Sequence, residues 1–478
     1  MTTAGTTTAG MTIAGMTIGG EVRHGSASFG VINPATGVVF AEAPLCSQRE
    51  LDEAMAAAAM AFDKWRADDD ERRVALRDAA QALYGAAAEL GALLTAEQGR
   101  PSQLALMEVL GAGTWLQYYA DLELPPTVLQ DDGTVFAEVV RKPLGVVAAI
   151  TPWNVPLILA CWKLAPALRA GNTVVLKPSP FTPLATLRMG ELLARVFPPG
   201  VLNVVSGDDD LGARMTHHAT PRKVSFTGSI ETGKRVASAA AADLKRVTLE
   251  LGGNDAAIVL DDVDPAAVAD KLFWGAFTNS GQICSAIKRV YVSRATHAEL
   301  ADALAAEANE VKVGDGADPA TQLGPVSNRP QFDRVRSLVD DALAHGAKAL
   351  AGGAAVDRPG YFFAPTVLVG VEDGMPIVDE EQFGPALPVL SYDTVEEAIA
   401  RANAGWYGLS GSVWTDDVER GAAVAAQLDC GTAWVNSHLS LAPHQPFGGF
   451  KWSGIGVENG PWGLDGFSEL QVLHRTLR

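Results

Sequence analysis

Between residues 145 and 260 the chain changes its apolar period again and again. Short apolar, β-branched runs at 145–150, 173–176, 201–205, 223–226 and 256–260 alternate with segments whose apolar residues recur at helical spacing. Runs without polar alternation are buried on both faces, and strands buried on both faces are parallel strands joined by crossovers. The pattern therefore predicts an α/β fold with a doubly wound, Rossmann-like parallel sheet. A second α/β pattern runs from about 262 to 450, and helical Ala/Leu-rich patterns fill 47–120. Residues 123–143 differ: two β-type runs flank Asp131-Asp132-Gly133, which reads as a projecting hairpin. The segment 467–477 reads as a strand that pairs with this hairpin or with another subunit.

Composition removes several functions. The 37 Lys and Arg face 56 Asp and Glu, a net charge of -19 that repels phosphate backbones, so nucleic acid is not the main partner. An anionic cofactor would need a local basic patch. Cys46, Cys161, Cys284 and Cys430 lie far apart, neither a disulfide framework nor a metal-ligand pattern, which fits a reducing cytoplasm and no metal. Residues 144–162 carry no charge, yet Pro152, Asn154 and Pro156 sit inside that window, so a strand, a turn and a helix explain it better than a membrane span. The Thr/Ala/Gly/Met-rich residues 1–20 lack a basic start and read as a flexible, low-complexity tail.

Four segments carry chemistry. Residues 228–235, Gly-Ser-Ile-Glu-Thr-Gly-Lys-Arg, follow an apolar run and open a helix, where glycines let backbone N–H groups approach a phosphate. The spelling nearly matches a nucleotide triphosphatase loop, but Arg235 stands where a Mg²⁺-binding Ser or Thr is required; the turn also reads as one that binds nothing. Glu250 sits between Leu249 and Leu251 beside Gly252-Gly253, and is either a solvated strand residue or a buried general base. Cys284 follows the loop Asn279-Ser280-Gly281-Gln282-Ile283, and is either a small buried hydrophobe or a nucleophile. Asn154, fixed by prolines on both sides, either serves its own turn or aims an amide at an oxyanion.

Taken together, the segments resemble the aldehyde dehydrogenase superfamily from about residue 28 to the end. The resemblance rests on eight ordered motifs: NPATG at 33–37, TPWNVP at 151–156, GNTVVLKPS at 171–179, FTGSIETGK at 226–234, LELGGN at 249–254, GQICSA at 281–286, EEQFGP at 380–385 and PFGGFKWSGIGVE at 446–458. It implies a dinucleotide-binding domain over 21–122 and 144–253, a catalytic domain over 254–448, and an oligomerisation element over 123–143 and 449–478.

The resemblance also implies roles. Cys284 attacks an aldehyde to give a thiohemiacetal, with Asn154 and the Cys284 N–H holding the oxyanion; hydride loss leaves a thioester, which water activated by Glu250 hydrolyses. Lys163 and Glu458 match positions for proton relay. Thr151, Trp153, Lys177, Ser179, Gly228, Ser229, Gly233, Glu381 and Phe383 match cofactor positions. Val155, Ile158, Trp162, Ile283, Ser285, Leu439, Leu441 and Phe447 match the aldehyde tunnel. These are apolar in the main and none is cationic, pointing to an apolar or aromatic aldehyde and broad specificity. His438 reads as a surface or packing residue near the mouth. Pro180 replaces the Glu that many NAD-preferring members carry after the lysine, and no arginine stands beside it; NADP becomes admissible while the balance tilts to NAD. The implied assembly is a homodimer or homotetramer. A CoA-acylating enzyme is disfavoured by Glu250, and a non-catalytic structural relative by the intact Cys284, Glu250 and Asn154.

Overall fold

The computed structural model describes residues 14–477. Two sheets and a small third one organise the chain. The first is eight-stranded, in the order Gly454–Ile455, Arg246–Glu250, Lys223–Thr227, Val146–Ile150, Thr173–Lys177, Leu202–Val204, Met16–Ile18 and Glu21–Arg23. Its five central strands are parallel. The chain winds one way from Val146–Ile150, then returns to the other side of that strand with Lys223–Thr227. Loops leaving the carboxyl ends of these two strands diverge there and open a crevice, the usual ligand position in such sheets. Their pairing in register, Phe226 opposite Ile150 and Thr227 opposite Glu250, brings Asn154, Gly228 and Glu250 to one edge.

Asp255–Val259, the last of the apolar runs, starts the second sheet instead. Its seven strands run in the order Lys348–Ala351, Thr366–Val369, Ala386–Tyr392, Ile287–Ser293, Asp255–Val259, Ser410–Trp414 and Thr432–Val435. All neighbours are parallel except the first pair. The hairpin is Thr127–Asp131 with Val135–Pro143, and Ser468–Thr476 pairs antiparallel along the whole of its second strand.

Two expectations are corrected. Of the supposed tail 1–20, residues 1–13 lie outside the described residues. Met16–Ile18, however, is a buried strand, antiparallel to Leu202–Val204, with the Gly19 N–H held by Asn203 Oδ1 at 2.8 Å. Low complexity concealed a short apolar run that a distant strand edge could pair. The segment 449–459 likewise departs from the three-stranded sheet to which the sequence joined it: Gly454–Ile455 pairs with Leu249 and Glu250, at the edge of the first sheet. Two residues are too short to show a strand period, so only the neighbouring strand reveals them.

The crevice is framed by two helices. Pro156–Arg169 begins with proline, whose fixed φ and missing N–H suit a first turn, and no side chain of its own caps it. Glu108, from helix Ser102–Asp121, does so instead, its Oε1 accepting the Leu157 N–H at 2.8 Å and the Ile158 N–H at 3.4 Å. Helix Ile230–Ala241 is capped by Ser229, whose hydroxyl accepts the Thr232 N–H at 3.3 Å.

Candidate active site

Cys284 sits on the wall of a cavity of about 600 Å³ shared by Trp153, Asn154, Gly228, Ser229, Glu381 and Phe383. The loop that presents it is built by left-handed residues: Asn279 (φ 55°), Ser280 (φ 56°) and Gly281 (φ 72°). Gly281 is required twice over, since a Cβ there would lie 2.3 Å from the Gly384 carbonyl oxygen. Gly252 is equally constrained: a Cβ would lie 2.2 Å from a Glu381 carboxylate oxygen, and the neighbouring Gly253 N–H donates to Glu381 at 3.0 Å. The Gly-Gly turn thus exists to let Glu381 close on the backbone.

The Asn154 amide donates to the Gln282 carbonyl at 2.9 Å, two residues before the cysteine, and its second N–H remains for a ligand. Its own carbonyl is gripped by Arg100, which also pairs with Glu108, and by Asn279 Nδ2 at 3.1 Å. Arg100, Glu108 and Asn279 were not singled out in the sequence. The only signal was a pair of charges among apolar residues, and charges facing solvent look the same.

Glu250 ends its strand fully buried, and neither carboxylate oxygen has a hydrogen-bond partner. Burial pushes its carboxyl well above the usual carboxylate range, Glu458 raises it further, and Lys163 opposes both. Lys163 is buried in mid-helix, its Nζ 2.6 Å from Glu458 Oε1 and 2.6 Å from Thr227 Oγ1. Burial, then the Glu250 charge, holds the Cys284 thiol well above its ordinary value, while Lys288 pulls it down.

A second cavity, of about 520 Å³, lies under helix Ile230–Ala241 and carries Lys177, Asp209, Thr232 and Arg235 on its wall. Here the sequence reading is corrected: no arginine adjoins Pro180 in sequence, but the helix delivers Arg235 to the cavity that holds Lys177. Burial lowers Lys177 to about 8, with Asp209 and Asp208 opposing. Several predicted cofactor residues lie off both cavity walls. Thr151 is buried, its N–H bonded to the Lys177 carbonyl at 3.0 Å; Ser179 accepts the Phe181 N–H at 3.3 Å within its own turn. Gly233 packs under Leu251, a Cβ there reaching 2.5 Å from that side chain. Trp153 stands edge-on to Phe383 at 5.3 Å.

Beyond Cys284, Val155, Ile158 and Leu441 pack on the same apolar cluster as Trp162 and Phe447. Trp162 meets Phe447 at 5.3 Å and stacks on Trp115 at 5.6 Å, an aromatic wall in which Trp115 was missed. Ile283 and Leu439 are half-buried. Ser285 is fully buried, its hydroxyl without a partner, so its side chain is not part of an open tunnel surface. His438 is a packing residue: Nε2 lies 2.7 Å from the Ser285 carbonyl, Nδ1 3.0 Å from Ser412 Oγ, and the ring rests edge-on to Trp434.

A cysteine, an amide and a buried carboxylate at the end of a two-part cleft can be compared with known proteins. A profile of the aldehyde dehydrogenase family matches residues 22–473. The chain belongs to that family. It is 38% identical over 454 residues to betaine aldehyde dehydrogenase of Cereibacter sphaeroides (strain ATCC 17025 / ATH 2.4.3), covering 94% of each chain. It is 39% identical over 457 residues to human retinaldehyde dehydrogenase 3, covering 93% of this chain and 89% of that one. The NAD⁺ complex of an aldehyde dehydrogenase from Bacillus cereus superposes with a TM-score of 0.95 at 36% identity, over 98% of this chain and 97% of that one. The chain is an NAD(P)-dependent aldehyde dehydrogenase. No helix among the described residues is long and apolar enough to cross a membrane.

Proposed function

We propose that this dehydrogenase oxidises apolar or aromatic aldehydes to the free carboxylic acid, without CoA, on Cys284. The observation that carries the reading is the Cys284 thiol beside the buried Glu250 carboxylate, each acting on the other's titration. The Cys284 thiol gives its proton to Glu250 as sulfur adds to the carbonyl. The Asn154 amide and the Cys284 N–H receive the negative oxygen, which preorganised donors stabilise without reorganisation. The two cavities suit a dinucleotide: the Ser229-capped helix end faces one, a pyrophosphate site, and Glu381, one oxygen held by the Gly253 N–H, has the other for a ribose. A nicotinamide held in the cavity lined by Trp153, Glu381 and Phe383 would supply the acceptor for the hydride that the thiohemiacetal loses. Glu250, its proton passed on by way of Glu458 and Lys163, then takes a proton from water, and the hydroxide displaces the sulfur of the thioester.

NAD is the coenzyme this reading favours, because the Asp209 carboxylate on the Lys177 cavity supplies the negative charge that Pro180 does not. Arg235 on the same wall supports NADP as the second reading. Self-association is supported by the three-stranded sheet, whose Val128, Leu129, Leu470 and Val472 are exposed.

The test is reduced-cofactor absorbance with a panel of aliphatic, aromatic and phosphorylated aldehydes plus betaine aldehyde, with and without CoA. Turnover of the apolar members without CoA is the expected result, and Cys284→Ala abolishes it while cofactor binding persists. Turnover only with CoA, or full activity in Cys284→Ala, would sink the proposal.

A further inference from the structure

Lys288 lies four residues after the nucleophile, on strand Ile287–Ser293, and is 2% exposed. A buried ammonium must satisfy its donors locally. Lys288 spends them on the nucleophile loop: Nζ donates to the carbonyls of Ile283 at 2.6 Å, Ala286 at 3.2 Å and Cys284 at 3.3 Å. The remaining carbonyl of that loop, Ser285, is held from the other side by His438. Every carbonyl from 283 to 286 therefore faces a fixed donor.

The Ile283 contact has a directional consequence. In a trans, planar peptide the C=O and the following N–H point opposite ways. Lys288 and the Ala286 N–H, at 3.1 Å, both hold the Ile283 oxygen, so the Cys284 N–H is turned to the side away from Lys288. The same ammonium sits among negative neighbours. Glu250, Glu381 and Asp255 act on Cys284 from three different elements and all disfavour a thiolate; Lys288 is the cation that opposes them, and His438 stays neutral. The Phe383 ring lies 5.7 Å from its Nζ.

We propose that Lys288 is a positioning residue for aldehyde oxidation: its buried ammonium aims the Cys284 N–H at the substrate oxygen and supplies the positive charge that lets the sulfur react as a thiolate. The inference rests on Cys284 being the nucleophile, so the experiment reads both. Alkylation of Cys284 by iodoacetamide is followed against pH by intact mass, beside NADH burst amplitude and NAD⁺ affinity, in wild type and in Lys288→Met, Lys288→Gln and Lys288→Arg. In the Met and Gln variants alkylation near neutral pH slows about tenfold, the effect of losing one nearby opposite charge. The burst rate falls with it, NAD⁺ affinity is retained, and Arg restores the alkylation profile. A brace without electrostatic effect would lower thermal stability and leave the alkylation profile unmoved; that result overturns the proposal. Should Met and Gln both fail to fold, Arg alone decides, because a profile displaced upward in a variant that keeps the charge also overturns it. Wild type fully alkylated at Cys284 that still oxidises aldehydes would instead refute the nucleophile assignment, whatever Lys288 does.

Discussion

Replacing Glu458 with glutamine removes one negative charge from beside Glu250 while keeping an oxygen for Lys163. Glu250 is raised first by burial and next by Glu458, while Lys163 and then a hydrogen bond from Cys284 pull it down. The substitution therefore acts twice in one direction: the repelling carboxylate vanishes, and the ammonium is no longer neutralised at 2.6 Å, leaving burial and Asp255 to oppose it. A single nearby charge moves a buried carboxyl by about 1–3 pKa units, so the Glu250 titration falls by at least about one unit. Because a general base works when deprotonated, the rising limb of kcat shifts to lower pH by the same amount. The assay is kcat against pH, from about pH 5 to pH 9, with an aldehyde whose hydride transfer is fast enough that thioester hydrolysis limits. Stranding Lys163 costs on the order of 3–5 kcal/mol of stability, lessened by the retained hydrogen bond, but a smaller folded fraction scales the curve without moving its midpoint. A limb that stays in place, or moves to higher pH, would refute the electrostatic account of Glu250.

Three further outcomes are expected. Asn154→Ala lowers kcat/KM about 10²–10³-fold with little loss of thermal stability, since the Gln282 carbonyl keeps the Asn279 amide at 3.4 Å; a loss under fivefold would remove the oxyanion assignment. Asp209→Ala raises the NADP-to-NAD ratio of kcat/KM about tenfold, and Arg235→Ala lowers it; opposite signs would invert the reading of that cavity. Burial holds His438 down to about 3, so the unfolded chain binds its proton first and stability from this residue is present above pH 6.5 and lost as pH falls. Between pH 6.5 and 4.5 that is at most about 2.7 kcal/mol, and His438→Gln loses correspondingly less on acidification in urea titrations; equal losses in both proteins would contradict it.

The repeated apolar runs determined four of the five central parallel strands of the first sheet, because a strand buried on both faces shows a period that neighbouring residues alone set; that the fifth run, Asp255–Val259, joins the other sheet was not legible in it. The motifs around Asn154, Glu250 and Cys284 marked the reacting groups for a similar reason: the turns that present them need particular residues in order, such as Gly252 against Glu381 and Gly281 against Gly384. Tertiary structure decided everything that depends on a partner far along the chain. Arg100 holds Asn154 from the loop between two distant helices, Glu108 caps a helix it does not belong to, and Arg235 reaches the Lys177 cavity although nothing beside Pro180 announces it. Met16–Ile18 is a strand only because Leu202–Val204 offers it an edge. A charge buried against a carbonyl and a charge in water are spelled alike in sequence, and only burial separates them: Lys288 beneath the nucleophile loop was invisible until its three carbonyl partners were in view.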